Sequence, residues 1–221
     1  MTHKKSIILL SGGLDSTVLA GVSKDEYNIE LALTFDYGQK AAKQELEAAI
    51  HIADYYNIKH QIIKLPFLKE ITKTSPVSND DIPKDNLGTL NSAKLVWIPN
   101  RNGLFLNIAA AFADSCGYTH ILFGANKEEG ETFPDNTKEF TDALTKSFEF
   151  STLVKVKAAA PLINYNKNDI VSLAIKHSVP LEMVWSCYGG GEKNCGICES
   201  CIRLKSALVY NNAQEYMERL F

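Results

Sequence analysis

The sequence predicts an α/β fold, a parallel sheet with helices on both faces and Rossmann-like connections, followed by a small cysteine-rich C-terminal segment. Three observations predict it. Apolar, strand-like runs alternate with helix-forming segments through the first 65 residues, a rhythm that implies right-handed crossovers and parallel strands. The first run passes directly into a glycine turn and a helix. Four of the five cysteines fall within the last 35 residues.

Ile7, Ile8, Leu9 and Leu10 form the first buried strand, and a helix is expected from Asp15 to about Lys24. Residues 29–35 (IELALTF) give the second strand, and Asp36, Tyr37, Gly38 and Gln39 a turn. Over 41–56 a helix is expected, with Leu46, Ile50 and Ala53 spaced to face a core and Lys43, Glu45 and Glu47 turned off it. Residues 59–65 give the third strand. In such a sheet ligands bind at the carboxyl ends of the strands, so the loops at Ser11 and Asp36 share one edge.

Residues 66–96 break the rhythm with Pro66, Pro76, Pro83, Gly88 and many Ser, Asn and Asp residues. A connection this long reads either as a substrate lid or as a solvated insertion. Residues 104–116 form an Ala-rich helix that reads as buried. A fourth strand, 119–123, ends in Gly124, Ala125 and Asn126. Residues 135–150 read as helical, 153–158 as extended and 167–177 as helical. The chain is thus divided into an α/β unit, 1–184, and a C-terminal segment, 185–221, packed on it.

A 221-residue chain that is 45% hydrophobic and 22% charged has the composition of a globular domain with one sizeable core. Its formal charge of -3 and pI near 6.0 argue against a partner held by broad phosphate contacts. Residues 1–5 are polar and the next apolar run is four residues long, too short for a signal peptide core or a membrane span. A cytoplasmic protein without membrane contact is expected.

In a reducing compartment the cysteines are not expected to form a disulfide framework and need another explanation. Cys187, Cys195, Cys198 and Cys201 lie in WSCYGGGEKNCGICESC. Two overlapping CxxC steps bring three thiolates together, and Gly189, Gly190 and Gly191 let Cys187 fold back as a fourth. Four sulfurs suit tetrahedral zinc; a redox pair, an iron–sulfur cluster and plain buried thiols are the competing readings. A closed four-thiolate site leaves no open position for water, so its role is structural: to pin Trp185, Ser186 and Arg203 near the first loop. Cys116 is expected as an inert core thiol on an apolar helix face. The five histidines show no metal-ligand spacing.

The first loop carries the chemistry. In SGGLDS, Ser11 to Ser16, two glycines let the main chain approach a phosphate, the following helix aims its free N–H groups and dipole at it, and the Ser hydroxyls add donors. The pattern resembles the pyrophosphate loop of enzymes that split ATP into AMP and pyrophosphate. Neither a Walker A loop nor GxGxxG occurs.

With the cysteine pattern, SGGLDS closely resembles the 7-cyano-7-deazaguanine synthase family of the queuosine pathway, whose fold is of the adenine nucleotide alpha hydrolase-like kind. FDYGQ (35–39) with Glu45, IPNRNGLFLNIAAAFA (98–113), FPDNTKEF (133–140), PLINYNKNDI (161–170) and WSCYGGGEKNCGICESCIR (185–203) complete the match. Only 66–96 stands outside it. The family often has Cys and Arg where Asn136 and Thr137 follow Pro134 and Asp135 here, which leaves Asp135 as the better substrate candidate.

The resemblance implies an ATP-dependent ligase converting 7-carboxy-7-deazaguanine and ammonia to the nitrile through an adenylated carboxylate and an amide. It suggests a homodimer, with exposed apolar residues of 204–221 available for an interface. The four cysteines predict the structural zinc ion, Asp15 is expected to reach the phosphates of ATP through Mg²⁺, and the charge balance argues against direct tRNA binding. Asp15, Arg101 and Asp135 are the expected catalytic residues. Leu10, Ser11, Gly12, Gly13, Leu14, Asp15, Ser16, Thr17, Asp36, Gln39, Asn102 and Gly124 are the expected nucleotide contacts, with Asp36 also readable as a helix cap and Arg101 as a surface ion pair. Lys167 is read as an exposed helix residue rather than a catalyst. The rival readings are a tRNA-modifying enzyme on the same scaffold, an amidating synthetase of the NAD or GMP kind, and a zinc-stabilised nucleotide-binding module. AMP with pyrophosphate is the expected product pair, with ADP and phosphate open on sequence alone.

Overall fold

Five parallel strands form one sheet in the order β3-β2-β1-β4-β5: β1 (Lys4–Leu9), β2 (Tyr27–Asp36), β3 (Lys59–Lys64), β4 (His120–Leu122) and β5 (Lys157–Ala159). The structure, a computed structural model, describes residues 4–78 and 95–221. The strand order reverses between β1 and β4, whose direct pairing sets Ile7 beside Ile121 and Ile8 beside Leu122. At such a switch point the two crossovers leave in opposite directions and open a crevice at the carboxyl edge.

Alternation along the strands divides the core in two. Ile8, Ala32 and Leu122 face α1 (Leu14–Ser23), α2 (Ala42–Tyr55) and α7 (Lys167–Lys176), in a cluster that also takes Leu204, Ala207 and Leu208 of α8 (Glu199–Tyr210) and Leu220 of α9 (Met217–Leu220). Ile7, Leu33 and Ile121 face α4 (Arg101–Cys116) and Phe148 of α6 (Lys138–Ser151). The C-terminal helices therefore share their core with the α/β unit. Two short helices, α3 (Phe67–Ile71) and α5 (Lys127–Gly130), follow β3 and β4.

Several boundaries differ from expectation. The central helix begins at Arg101, not residue 104, because Asn100 turns the chain in the left-handed region (φ 51°) just before it. The expected helix from 135 is instead a 3-10 turn, Pro134–Asn136, followed by α6, whose first turn is capped by the Thr137 hydroxyl accepting from Phe140 N–H. The last strand is shifted to 157–159, since Thr152 ends α6 and Lys155 takes a positive φ. Cys116 is exposed at the end of α4, which corrects the core-thiol expectation: α4 buries Phe105, Leu106, Ala109, Ala110 and Ala113, and Cys116 falls off that face. The lid or insertion reading of 66–96 lies partly outside the described residues. Its described flanks supply α3 and, through Pro76 and Val96, part of a cavity wall. Among the described residues no helix is long and apolar enough to cross a membrane.

Candidate active site

A cavity of about 290 Å³ opens at the carboxyl ends of β1, β2 and β4. Its floor is the loop after β1. Gly12 has φ +78°, and a Cβ there would sit 2.8 Å from both the Ala48 side chain and the Glu45 carbonyl, so the backbone packs against α2 where no other residue fits. Ser11 and Ser16 hydroxyls lie 3.1 Å apart, and Ser11 also accepts from Gly13 N–H at 3.3 Å. Gly13 provides no side-chain cap for α1, which leaves the first-turn amides directed at the cavity. Thr17 donates to the Gly13 carbonyl at 2.7 Å. Behind the loop, Thr34 donates to the Leu10 carbonyl and lies 2.7 Å from His60 Nε2.

Asp15 is held at the mouth of this loop. Its Oδ2 lies 2.5 Å from Lys167 Nζ and accepts from Asn126 Nδ2 at 3.3 Å, while Lys167 also reaches Glu129 Oε1 at 3.1 Å. Asp15 Oδ1 is buried with no hydrogen-bond partner. Burial pushes the Asp15 carboxyl up against the opposing pull of Lys167. For Glu129, burial acts the same way, but Lys167 and Asn126 outweigh it and hold the carboxyl below its ordinary value. Burial would lower Lys167; the two carboxylates reverse this and keep the ammonium charged. The expectation of an exposed Lys167 is thus corrected: its side chain is 13% exposed, because α7 starts at the carboxyl edge and points its first residue inward.

The first turn of α4 supplies the opposite wall. Arg101 bonds the Tyr37 phenol and faces Asp135; burial opposes its charge, but these partners keep it firmly protonated. Asn102 N–H donates to Asp135 Oδ2 at 3.2 Å, and Asn102 Nδ2 donates to the Asp135 carbonyl at 3.1 Å and to Asn136 Oδ1 at 3.3 Å. Asn136 Nδ2 closes the network on Asp135 Oδ1 at 2.9 Å. Burial raises the Asp135 carboxyl, with Arg101 and the Asn102 amide opposing. Gln39 is committed to its own turn: it accepts from Tyr37 N–H and donates to the Phe35 carbonyl and to Glu45 Oε2. Among the described residues Gly12, Thr17 and Asp36 do not line the cavity. Asp36 caps its turn by accepting from Gly38 N–H at 3.2 Å. Gly124 lies against α1, where a Cβ would come within 3.2 Å of Asp15 Cβ and Ser16 N.

The C-terminal segment closes the remaining side. Trp185 N–H donates to the Gly12 carbonyl at 2.9 Å, and Gln44 Nε2 to the Gly191 carbonyl at 2.9 Å. Tyr188 donates to Glu199 Oε2 at 3.2 Å, Glu199 pairs with Arg203 Nε, and Arg203 reaches Glu128 Oε2 at 3.3 Å. Cys187, Cys195, Cys198 and Cys201 bring their four Sγ atoms within 4.8 Å of one another. Cys195 and Cys201 are 3.9 Å apart; tetrahedral metal–thiolate bonds of about 2.3 Å place sulfurs about 3.8 Å apart. An iron–sulfur cluster interposes several atoms and would spread them further. The four thiols therefore fit a single tetrahedral metal ion. Gly189 N–H and Cys195 N–H both point at Cys187 Sγ, which suits a thiolate.

The structure brings Leu10, Ser11, Gly13, Leu14, Asp15, Ser16, Gln39, Arg101, Asn102, Gly124 and Asp135 around one cavity. Sequence reasoning missed Glu129, Tyr188 and Glu199, and the stacked pair Trp97 and Phe133, whose centroids are 5.5 Å apart. The available signal for Glu129 was its place just after the fourth strand, at the edge where ligands bind. Glu45, expected on a polar face, turns to the cavity through Gln39.

Known proteins resemble this chain in sequence and in fold. A family model described as the queuosine biosynthesis protein QueC matches residues 5–212. The 7-cyano-7-deazaguanine synthase of Carboxydothermus hydrogenoformans is 47% identical over 210 residues, covering 92% of this chain and 98% of that protein. The one from Methanosarcina barkeri is 44% identical over 220 residues, covering 95% and 94%. Among solved structures, a 4-thiouridine synthetase in complex with RNA and with bound ATP superposes with a TM-score of 0.50 at 19% identity, covering 99% of this chain and 53% of that one. At that identity the likeness shows the fold alone.

Proposed function

The chain belongs to the QueC family of queuosine biosynthesis proteins, and we infer that it is an ATP-dependent ligase that converts 7-carboxy-7-deazaguanine and ammonia to 7-cyano-7-deazaguanine. The observation that carries the reading is the convergence of the Ser11–Ser16 loop, Lys167, Arg101 and Asp135 on one cavity at the switch point between β1 and β4.

A carboxylate resists ammonia because it is anionic and its oxygen is a poor leaving group. Attack of the carboxylate on the α-phosphorus of ATP gives an acyl adenylate and releases pyrophosphate. Ammonia displaces AMP to give the amide. A second ATP adenylates the amide oxygen with release of pyrophosphate, and loss of AMP and of both amide protons leaves the nitrile. Ser11, Gly13, Ser16 and the first-turn amides of α1 hold the departing phosphates, which need donors fixed before charge develops. Lys167 and Arg101 supply the positive charge that two anionic substrates require in a cavity also lined by Asp15, Glu45, Glu129, Asp135 and Glu199.

The unpartnered Asp15 Oδ1 is the free oxygen a divalent cation would take. Mg²⁺ bound there would neutralise phosphate charge. Zn²⁺ is the metal we assign to the four cysteines, and when bound it ties Trp185 to the nucleotide loop. The remaining parts of the proposal are a cytoplasmic homodimer that does not bind tRNA directly, with 1–184 as the ATP-binding unit and 185–221 as the zinc segment packed on it. The exposed Val209 and Tyr210 of α8 supply apolar surface for a dimer contact.

The test is incubation of the purified protein with ATP, Mg²⁺, ammonium and 7-carboxy-7-deazaguanine, with nucleotide and base followed by mass spectrometry. Nitrile with AMP is the expected outcome. An unchanged base beside intact ATP overturns the reading.

A further inference from the structure

Asp135 differs from the other carboxylates of the cavity. Asp15 and Glu129 share Lys167, and Glu199 is paired with Arg203. Glu45 is bonded by Gln39 on the side of the nucleotide loop, where its carbonyl packs against Gly12. Asp135, 6% exposed, faces Arg101, but the hydrogen bonds that hold its two oxygens come from neutral amides, the main chain of Asn102 on Oδ2 and the side chain of Asn136 on Oδ1. Each carboxylate oxygen accepts more than one bond. Both therefore retain acceptor capacity in a direction those amides have fixed. Trp97 and Phe133 also line this wall, with ring planes 11° apart.

A guanine-type bicycle carries two adjacent donors on one edge, the ring N1–H and the exocyclic 2-amino group, and a flat face that needs stacking. Adenine offers an acceptor at N1 and one amino donor, so it mismatches a bidentate carboxylate. We propose that Asp135 reads the N1–H and 2-amino donors of the deazaguanine base, that the Trp97 and Phe133 pair supplies its stacking face, and that Asn102 and Asn136 are positioning residues that aim the carboxylate. This rests on the functional reading above and assigns the specificity of the same cavity. It also explains why Asn stands at 136: its Nδ2 donates to the carboxylate while its Oδ1 accepts from Asn102. A site built to bond an N–H rejects an analogue lacking it, because its own polar group is left unpaired.

The test is calorimetric binding, without turnover, of 7-carboxy-7-deazaguanine and of its analogue lacking the 2-amino group. The unaltered protein is expected to bind the analogue about tenfold to a hundredfold more weakly, the loss of one bond to a charged acceptor. Asp135→Asn is expected to weaken the parent base by a similar factor and to shrink the preference between the two bases, with ATP binding unchanged. Trp97→Leu is expected to weaken both bases together and leave the preference intact. Equal binding of the two bases by the unaltered protein overturns the proposal, whether or not a variant folds. So does a preference that survives in Asp135→Asn, or a matching loss of ATP affinity there. Failure of the functional reading would show separately, as absence of nitrile in the presence of a base that binds.

Discussion

Lys167 Nζ lies 2.5 Å from Asp15 Oδ2 and joins the first turn of α1 to the first residue of α7 across 152 positions of sequence. Both side chains are largely buried, at 13% and 16% exposure. Lys167→Met would leave Asp15 and Glu129 without their shared counter-charge. Removing one partner of a buried pair costs about 3 kcal/mol or more, so urea unfolding should show a loss of that size, together with a fall in nitrile formation. A variant of unaltered stability and activity would show the pair to be incidental.

Gly12→Ala should be among the most damaging single-methyl changes in the chain. Its φ of +78° disfavours any side chain, and the new Cβ would meet Ala48 Cβ and the Glu45 carbonyl at 2.8 Å. Backbone strain alone costs on the order of 1–3 kcal/mol. A lowered Tm together with weaker ATP binding is expected. Gly117→Ala, also at positive φ but with open space around it, should lower Tm less and leave ATP binding unaffected.

Zinc analysis of the purified protein should give one equivalent per chain. Metal removal with a chelator, or Cys198→Ser, should release the segment whose Trp185 N–H holds the Gly12 carbonyl. Loss of one such bond is worth about 1 kcal/mol, so ATP affinity should fall about fivefold or more, with a change in Trp185 fluorescence. Unchanged ATP affinity in the metal-free protein would separate the two sites.

Burial raises the Glu45 carboxyl above its ordinary value, although Gln39 and Arg101 oppose the rise. Because the folded pKa exceeds the unfolded one, the folded state holds the proton longer, and its stabilising contribution is present below the unfolded pKa and lost as pH rises through the folded pKa. Glu45→Gln keeps an oxygen to accept from Gln39 and removes this titration. Urea curves at pH 4 and pH 7 should show the variant gaining stability relative to the parent as pH rises. The opposite slope would mean that Arg101 dominates the site.

The glycine loop after β1 and the cysteine cluster were legible as strings because each is made locally. SGGLDS needs only the turn that its own glycines permit, and two CxxC steps bring three thiols together over seven residues, 195–201. The parallel sheet was legible for a related reason: continuous apolar runs leave a strand no wet face. Element edges were less legible. Arg101 and Asn102 lie inside α4 because Asn100 adopts a left-handed turn, a conformation that no periodicity announces. The lysine at 167 looked like any polar residue opening a helix.

Composition and local pattern were thus sufficient for the fold class, for the glycine turn after the first strand and for a four-cysteine cluster that fits a metal ion, each specified by residues close in sequence. Tertiary structure decided the partners: Lys167 with Asp15, Trp185 with Gly12, and Asp135 aimed by Asn102 and Asn136. Except for the Asn136 to Asp135 bond, these contacts join segments that are distant along the chain and meet only at the carboxyl edge of the sheet. A side chain's charge state and direction depend on what packs against it there, and that is a property of the crossovers rather than of any single stretch.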